Sequence, residues 1–407
     1  MAHTAPRSDR DTYGDKGAFP HWREAEPFAI EAQGQSLTFY PAGEDRLSAL
    51  IDLIDGARTS FRAFYYMYGD DACGVKVRDA LVRAAERGVD VSLAIDGFGS
   101  DKVEDEFFAP LVKAGGRFDR FQAKWSRRSL IRNHQKLAIA DRKRAMIGGF
   151  NVEQGYFAPP DQNGWHDLGL IVEGSAVETL DAWMDRLDGW IEDDEAQFRS
   201  IVRTVKEWDG GVEGSGGAVR LLIGGPTRHL SSWAQCVQRD LEKGRRLDMV
   251  MAYFSPPMKL LRRIGRIAEE GETRLIMAAK SDNGATIGAT RSLYDYLLKK
   301  RARILEFAPC KLHMKIVVLD DAVYLGSANF DMRSLYINLE LMLRIEDRGL
   351  ADRMRDFIAA HEHASNRITL AEHRRKAGLW NRIRWNVSWF LVTVMDYNVS
   401  RGLNLGL

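Results

Sequence analysis

The chain is poor in cysteine. Its 407 residues include three, Cys73, Cys236 and Cys310. They lie far apart and form no Cys-x-x-Cys pair, which argues against a disulfide framework or a thiolate zinc site and favours a reducing compartment. Long apolar runs are missing as well. No stretch approaches the ~18 residues that mark a spanning helix. The polar, charged start, Met1 to Gly17, lacks the apolar core of a secretory signal. An excess of one charge is also missing: 58 Lys and Arg against 57 Asp and Glu leave +1. Whole-molecule attraction to nucleic acid is therefore not expected. Charge is concentrated locally, however. Arg117 to Arg144 carries ten Lys or Arg against two acids, Asp119 and Asp141. Such a run is either a solvated face or a basic surface that meets anionic phosphate.

What is present has the length of two domains, or of two halves of one large unit. The first 27 residues read as a loose polar arm. Apolar spacing then predicts a helix over 46–57, a strand over 61–68, a helix over 75–87 closed by Gly88, and a strand over 89–95. This order predicts an α/β sheet with helices packed on it. The order returns later: a strand over 247–254, a helix over 258–270 closed by Gly271, and a strand over 273–278. Gly88 and Gly271 are 183 residues apart, and His134 and His313 are 179 apart. A near-constant offset is the mark of internal duplication. The halves fall at about 28–208 and 218–370. A Gly-rich stretch between them, 209–217, has the composition of a flexible linker.

One motif occurs in each half. The first runs Asn133-His134-Gln135-Lys136, then Asp141, Gly148-Gly149 and Asn151. The second runs Leu312-His313-Met314-Lys315, then Asp320, Gly326-Ser327 and Asn329. The apolar run after each Lys predicts a buried strand. Residues i and i+2 of a strand share a face, so each His and Lys point the same way. The Gly-Gly or Gly-Ser that follows allows close backbone approach. Two ammonium groups and two amides around one phosphodiester would mask its charge and stabilise the transition state. One neutral imidazole can attack phosphorus, and a second, protonated, can serve the leaving group. Two opposite duties give a reason for two copies. The candidate catalytic group is His134, Lys136, Asp141, His313, Lys315 and Asp320, with Asn151, Ser327 and Asn329 as substrate-binding residues. For Asp141 and Asp320, which end strands, a structural or orienting role is the stronger expectation. The repeated Lys repels a cation, so chemistry without a metal or other cofactor is expected.

These motifs resemble the HKD signature of the phospholipase D superfamily, over about residues 30 to 365. The flanking residues are most similar to bacterial cardiolipin synthases: Trp165-His166-Asp167, Val172-Glu173-Gly174, Ala328 to Ser334, and Asn338-Leu339-Glu340. The resemblance implies two α/β halves about a pseudo-two-fold, with one site at their interface. It implies His134 as nucleophile and His313 as general acid/base. It also implies that Asp167 and Glu340 fix the histidine tautomers. Two departures stand out. Five residues, not the usual six, separate Asp320 from Gly326, which could displace Ser327 and Asn329. Many cardiolipin synthases carry N-terminal membrane helices, and this sequence resembles the shorter members that do not.

The substrate expected is a phospholipid, with phosphatidylglycerol favoured and cardiolipin as product. Hydrolysis to phosphatidic acid is the alternative, and a nuclease or other phosphodiesterase is a weaker one. Nucleic acid is an unlikely partner, and no obligate protein partner is inferred. The basic, aromatic tail, 371–407, suits either an interfacial helix on an anionic membrane or a helix packed back on the core. The expected location is cytoplasmic, at the inner face of the cell membrane.

Overall fold

Two eight-stranded sheets face each other in the computed structural model, which describes residues 19, 22–121, 132–192, 198–227 and 230–395. The first half supplies β1 (Phe28–Ala32), β2 (Gln35–Tyr40), β3 (Ser60–Tyr65), β4 (Asp90–Asp96), β5 (Arg117–Phe121), β6 (Lys136–Ala140), β7 (Arg144–Gly148), β8 (Trp165–His166) and β9 (Gly169–Glu173). The second supplies β10 (Val219–Gly224), β11 (Arg246–Met251), β12 (Phe254–Ser255), β13 (Glu272–Ala278), β14 (Arg303–Phe307) and β15 (Lys311–Leu312). It continues with β16 (Lys315–Leu319), β17 (Ala322–Gly326), β18 (Phe330–Asp331), β19 (Glu340–Glu346) and β20 (Ser365–Ile368).

The sheet orders are β1-β2-β9-β7-β6-β3-β4-β5 and β10-β19-β17-β16-β11-β13-β14-β20. From β2 to β5 and from β10 to β14 the strands match one for one. In each sheet the β3-β4-β5 or β11-β13-β14 part is parallel and the rest antiparallel. The duplication read from the offsets is therefore a duplication of topology. Each half then adds one strand, β1 or β20, at opposite edges.

The expected elements form with small shifts at their ends. The first helix runs Gly43–Asp55. The second runs Ala72–Glu86 and starts early because Asp71 caps it, accepting from the backbone N–H of Cys73 and Gly74. The helix Met258–Glu270 ends at Gly271, as the spacing predicts.

Both inner sheet faces feed one apolar core. Leu137, Ile147 and Trp183 of the first half and Ile316, Leu343 and Phe357 of the second belong to the same cluster. The halves are therefore parts of one packed unit. Two expectations need correction. The stretch 209–217 folds back on itself: Gly211 pairs with Arg220, and Val212 N–H donates to Val219 O. The described end of the N-terminal arm is also not loose. Trp22 packs edge-on against His166 and Phe307, and Glu24 bonds His166. Residues 1–18 and 122–131, which carry most of the arm and the centre of the basic run, lie outside the described residues.

Candidate active site

The two motif strands begin where the halves meet. The short parallel pairing of β15 with β8 sets Leu312 beside His166, and an isolated parallel bridge sets Asn133 beside Leu339. As a result His313 N–H donates to His166 O at 2.8 Å, and His134 N–H donates to Leu339 O at 2.9 Å. Each histidine is thus tied by its backbone to the other half, one residue before that half's acid. The side chains complete the exchange. His313 Nδ1 lies 2.6 Å from Asp167 Oδ2, and His134 Nδ1 lies 3.1 Å from Glu340 Oε2. Each half supplies the carboxylate that orients the other half's imidazole. With Nδ1–H held by an acid, Nε2 of each ring is the nitrogen left for chemistry.

Lys136 and Lys315 extend from the first residue of β6 and β16, on the same side as the histidines. Lys136 Nζ donates to His134 O at 2.6 Å, and Lys315 Nζ lies 2.8 Å from His313 Nδ1. All four side chains are buried or nearly so. Burial, and then the Lys136 ammonium, hold His134 down to about 4; burial and Lys315 hold His313 down to about 3. The ammonium of each half also depresses the imidazole of the other, so the four groups share one field. Burial brings Lys136 down to about 7 and Lys315 to about 8. Burial alone would raise Asp167, but His313 and Lys315 outweigh it and hold the carboxyl below its ordinary value. With both imidazoles held neutral, the positive charge of the site rests on Lys136 and Lys315, and burial makes that charge costly until an anion enters. A phosphodiester entering the site raises the affinity of Lys136 and Lys315 for protons. Binding at neutral to mildly alkaline pH should take up protons. Titration calorimetry in buffers of different ionisation heat should show it, and proton release would contradict this charge assignment.

Asn151 and Asn329 stand at matching places, three residues past the first glycine of each pair. Asn151 Oδ1 accepts from Met67 N–H, while its Nδ2 is buried without a partner in hydrogen-bond geometry. Asn329 leaves Oδ1 without a donor, and exchanging its amide ends would turn a donor to the same place. Tyr66 faces His134 at 4.8 Å, and Tyr156 and Trp165 face His313 at 5.0 and 5.2 Å. These rings form apolar walls: Tyr66 comes from the aromatic run at the end of β3, whereas Tyr156, on the helix Gln154–Phe157, and Trp165, on β8, follow the first motif, where spacing alone gives no sign that they face His313.

The short second hairpin leaves the site in place. In the first half Ala140 pairs with Arg144 around a three-residue loop, Asp141-Arg142-Lys143; in the second Leu319 pairs with Ala322 around a two-residue loop, Asp320-Asp321. The turn absorbs the missing residue. Leu137 faces Ile147 and Ile316 faces Leu325, so both Lys residues are in the same register with the glycines.

Two members of the expected catalytic group do not join it, and one substrate-binding residue turns elsewhere. Asp141 and Asp320 sit at the far ends of β6 and β16, roughly 16 Å along the strand from the Lys. Asp141 accepts from the backbone N–H of Arg58, Thr59 and Ser60 and from Thr59 Oγ1. Asp320 accepts from Arg245 and Arg246 N–H. They brace turns, and both adopt positive φ, 53° and 49°. Although its partial burial favours the neutral acid, the backbone donors hold Asp141 down to about 2. Asp141→Ala should cost about 1–2 kcal/mol of stability and leave turnover of the folded enzyme within a factor of two or so. A thermal melt and an assay on the same sample check this; lost turnover with unchanged melting would return Asp141 to the catalytic group. Ser327, expected at the substrate, donates its hydroxyl to Glu340 Oε2. Ser334 donates to the other oxygen, Oε1, at 2.8 Å.

The pseudo-two-fold explains the glycine at the matching position. A Cβ on Gly149 would lie 2.8 Å from both Asp167 oxygens and 3.1 Å from Lys315 Cδ. Glycine makes room for Asp167, whereas the matching Ser327 carries a hydroxyl that donates to Glu340.

A family model described as cardiolipin synthase, PLD-like domain, matches residues 50–188 and 238–361. Cardiolipin synthase 1 of Bacillus cereus is 28% identical over 342 residues, covering 79% of this chain and 66% of that protein. The chain thus spans a little under two thirds of that relative. The major cardiolipin synthase of Bacillus subtilis is 28% identical over 380 residues, covering 90% and 77%. Among solved structures, phosphatidylserine synthase of Haemophilus influenzae superposes with a TM-score of 0.72 at 13% identity, covering 93% of this chain and 97% of that one. It shares the fold. With two matched segments that each contain one motif, the chain belongs to the family described as cardiolipin synthase, PLD-like domain.

Proposed function

We propose that the chain is a phosphatidyltransferase that joins two phosphatidylglycerols into cardiolipin through a phosphohistidine. The observation that carries this reading is the crossed pairing of His134 with Glu340 and of His313 with Asp167 around two buried ammonium groups. His134 Nε2 attacks phosphorus, and the bond to the glycerol oxygen breaks as His313 gives that oxygen a proton. The hydroxyl of a second phosphatidylglycerol then attacks, passing its proton to His313, and the P–N bond breaks. Lys136, Lys315, Asn151 and Asn329 hold the phosphoryl oxygens.

The division of labour follows from the two acids. Glu340 spends acceptor capacity on the Ser327 and Ser334 hydroxyls, which weakens its pull on a second His134 proton. Asp167 accepts only Leu168 N–H besides His313 among the described residues. In the free site both imidazoles are held neutral, His313 the lower of the two; once a bound phosphate offsets the Lys315 charge, the less encumbered Asp167 favours the cation on His313, the acid, and His134 serves as the nucleophile. Labelled phosphatidylglycerol vesicles test the reading. Cardiolipin as product supports it, phosphatidic acid points to water as acceptor, and no turnover of either refutes it.

The reading includes docking on an anionic membrane. No helix among the described residues is long and apolar enough to cross a bilayer. The helix Leu379–Trp389, however, has two apolar faces. Trp385 is buried against His373, and Ser388 lies against Gly288 of the helix Gly284–Ser292. Leu379, Trp380, Ile383, Val387 and Phe390 are exposed, Trp380 at 82%. Their spacing is that of one helical stripe. Arg382 and Arg384 lie within the same helix, and Arg374, Arg375 and Lys376 precede it. The helix Gly284–Ser292 in turn bonds β12 through Thr290 and Phe254, and β12 pairs with β18, next to Asn329. An apolar stripe with basic neighbours, two elements from the site, suits an anionic bilayer surface. Trp380→Asp with Ile383→Asp should reduce co-sedimentation with anionic liposomes at least fivefold or so, without altering the melt. Unchanged binding would sink the docking surface.

A further inference from the structure

The pseudo-two-fold that relates His134 to His313 also relates Leu339 to His166. Both carry the carbonyl that accepts a catalytic histidine N–H, and both precede the orienting acid. One is a fully buried leucine in an apolar setting. The fold therefore does not require a polar side chain there. In the other copy the side chain is a histidine, 1% exposed, with partners on both ring nitrogens.

His166 Nδ1 lies 2.7 Å from Glu24 Oε1, and His166 Nε2 lies 2.8 Å from His361 Nε2. His361, on the helix Arg348–Glu362 of the second half, has its Nδ1 2.8 Å from Phe357 O. The chain of contacts runs from the N-terminal segment through the first half into the second. Glu24 also accepts from Gly43 N–H, at the start of the helix that carries Arg46. Arg46, fully buried, donates to the carbonyls of Trp165 and Asp167 on either side of His166.

His361 Nδ1–H donates to a carbonyl, so its Nε2 must accept. His166 must then donate from Nε2. Its Nδ1 faces a carboxylate, and two lone pairs do not approach to hydrogen-bond distance. A proton lies between them. The set holds one proton more than an ionised Glu24 and two neutral imidazoles would. Burial and the neighbouring His166 hold His361 down to about 3, which makes it the neutral member. Burial pulls His166 below its ordinary value and Glu24 offsets this only in part, so it is the 2.7 and 2.8 Å contacts of the ring, not its own basicity, that keep the proton. The other groups that face the set are Arg46, which disfavours the proton, and Asp167, which favours it. Burial pushes the Cys310 thiol up to about 12, so it stays neutral. Trp22 and Phe307 cover the His166 ring.

We propose that Glu24, His166 and His361 form a proton-holding strut that positions Asp167, and through it His313, for phosphoryl transfer. The proposal rests on the reading of His313 as a catalytic residue. The strut acts at a distance from substrate, so its loss changes kcat rather than KM. A small misplacement of a reacting group can cost up to about 100-fold. Its proton leaves as pH rises, so its contribution is present at low pH and lost on the alkaline side.

Three variants of the full chain test this. His166→Leu copies the related position and should fold. Glu24→Ala removes the acceptor. Glu24→Gln offers an N–H to His166 Nδ1 and completes all three bonds without the extra proton. Nitrogen-15 histidine spectra of the wild type at neutral pH should show one imidazole protonated on both nitrogens, absent in Glu24→Gln and His166→Leu. His166→Leu and Glu24→Ala should lose at least tenfold in kcat with KM within about twofold, and Glu24→Gln should retain most of kcat. Absence of a doubly protonated imidazole in the wild type overturns the proton assignment. Full kcat in folded His166→Leu and Glu24→Ala overturns the positioning role. The spectra need no turnover, so a failure of the proposed activity is told apart from a failure of the strut.

Discussion

Alanine at either His134 or His313 should lower turnover by about 10⁴- to 10⁶-fold, and the double variant should be no worse than the more damaged single one, because the two act as one unit. The expected loss is large because neither ring has a substitute within the pocket. Lys136 and Lys315 are engaged in neutralising phosphate, and Asp167 and Glu340 are held against the rings themselves. The two variants should nevertheless differ in one respect. A phosphodiester with a nitrophenol leaving group needs no proton to depart. His313→Ala should therefore still release a burst of nitrophenol and accumulate a phosphorylated enzyme, detectable by intact mass. His134→Ala should give neither. A burst from His134→Ala and none from His313→Ala would exchange the two roles. Equal, substantial turnover by either variant would remove the mechanism altogether.

Glu340→Gln and Asp167→Asn should each cost about 10⁴-fold in kcat with little change in KM. Both changes keep the shape, and the loss comes from the proton on the ring. A carboxylate accepts from Nδ1–H and leaves Nε2 with its lone pair. An amide can turn its N–H to Nδ1, which drives the ring proton to Nε2. At His134 that blocks the nucleophile. At His313 it removes the anion that stabilises the imidazolium. Each amide variant should lose activity as severely as removal of the imidazole that its acid contacts, although the acid lies in the opposite half of the chain. Losses below about tenfold would mean that the acids do no more than support the fold.

Much of this site was legible in the chain before folding. Two copies of His-x-Lys at equivalent points of a duplicated pattern pointed to the side chains that meet in the pocket. The reason is local: in an extended strand, residues two apart share a face, so spacing alone places His and Lys together. The apolar run after each Lys, 0 to 4% exposed in the structure, was legible for the same reason. The role of Asp141 was less legible, because an Asp at a strand end can serve chemistry or a turn with the same spacing. Its backbone partners, Arg58 to Ser60, lie some eighty residues earlier and decide for the turn.

What tertiary structure alone decided was which acid serves which histidine. Asp167 is closer in sequence to His134 than to His313, yet it bonds His313; Glu340 is closer to His313, yet it bonds His134. The crossing follows from the pseudo-two-fold, which brings the start of each motif strand against the other half's acid-bearing segment. Ser327 changed role for the same reason, since the carboxylate it meets is set by packing and not by spacing. The strut of Glu24, His166 and His361 joins three segments that share no local pattern. The sequence determined the chemistry available in each half. Packing of the halves determined how the charges, protons and lone pairs were paired, because those depend on distances of about 3 Å between residues far apart along the chain.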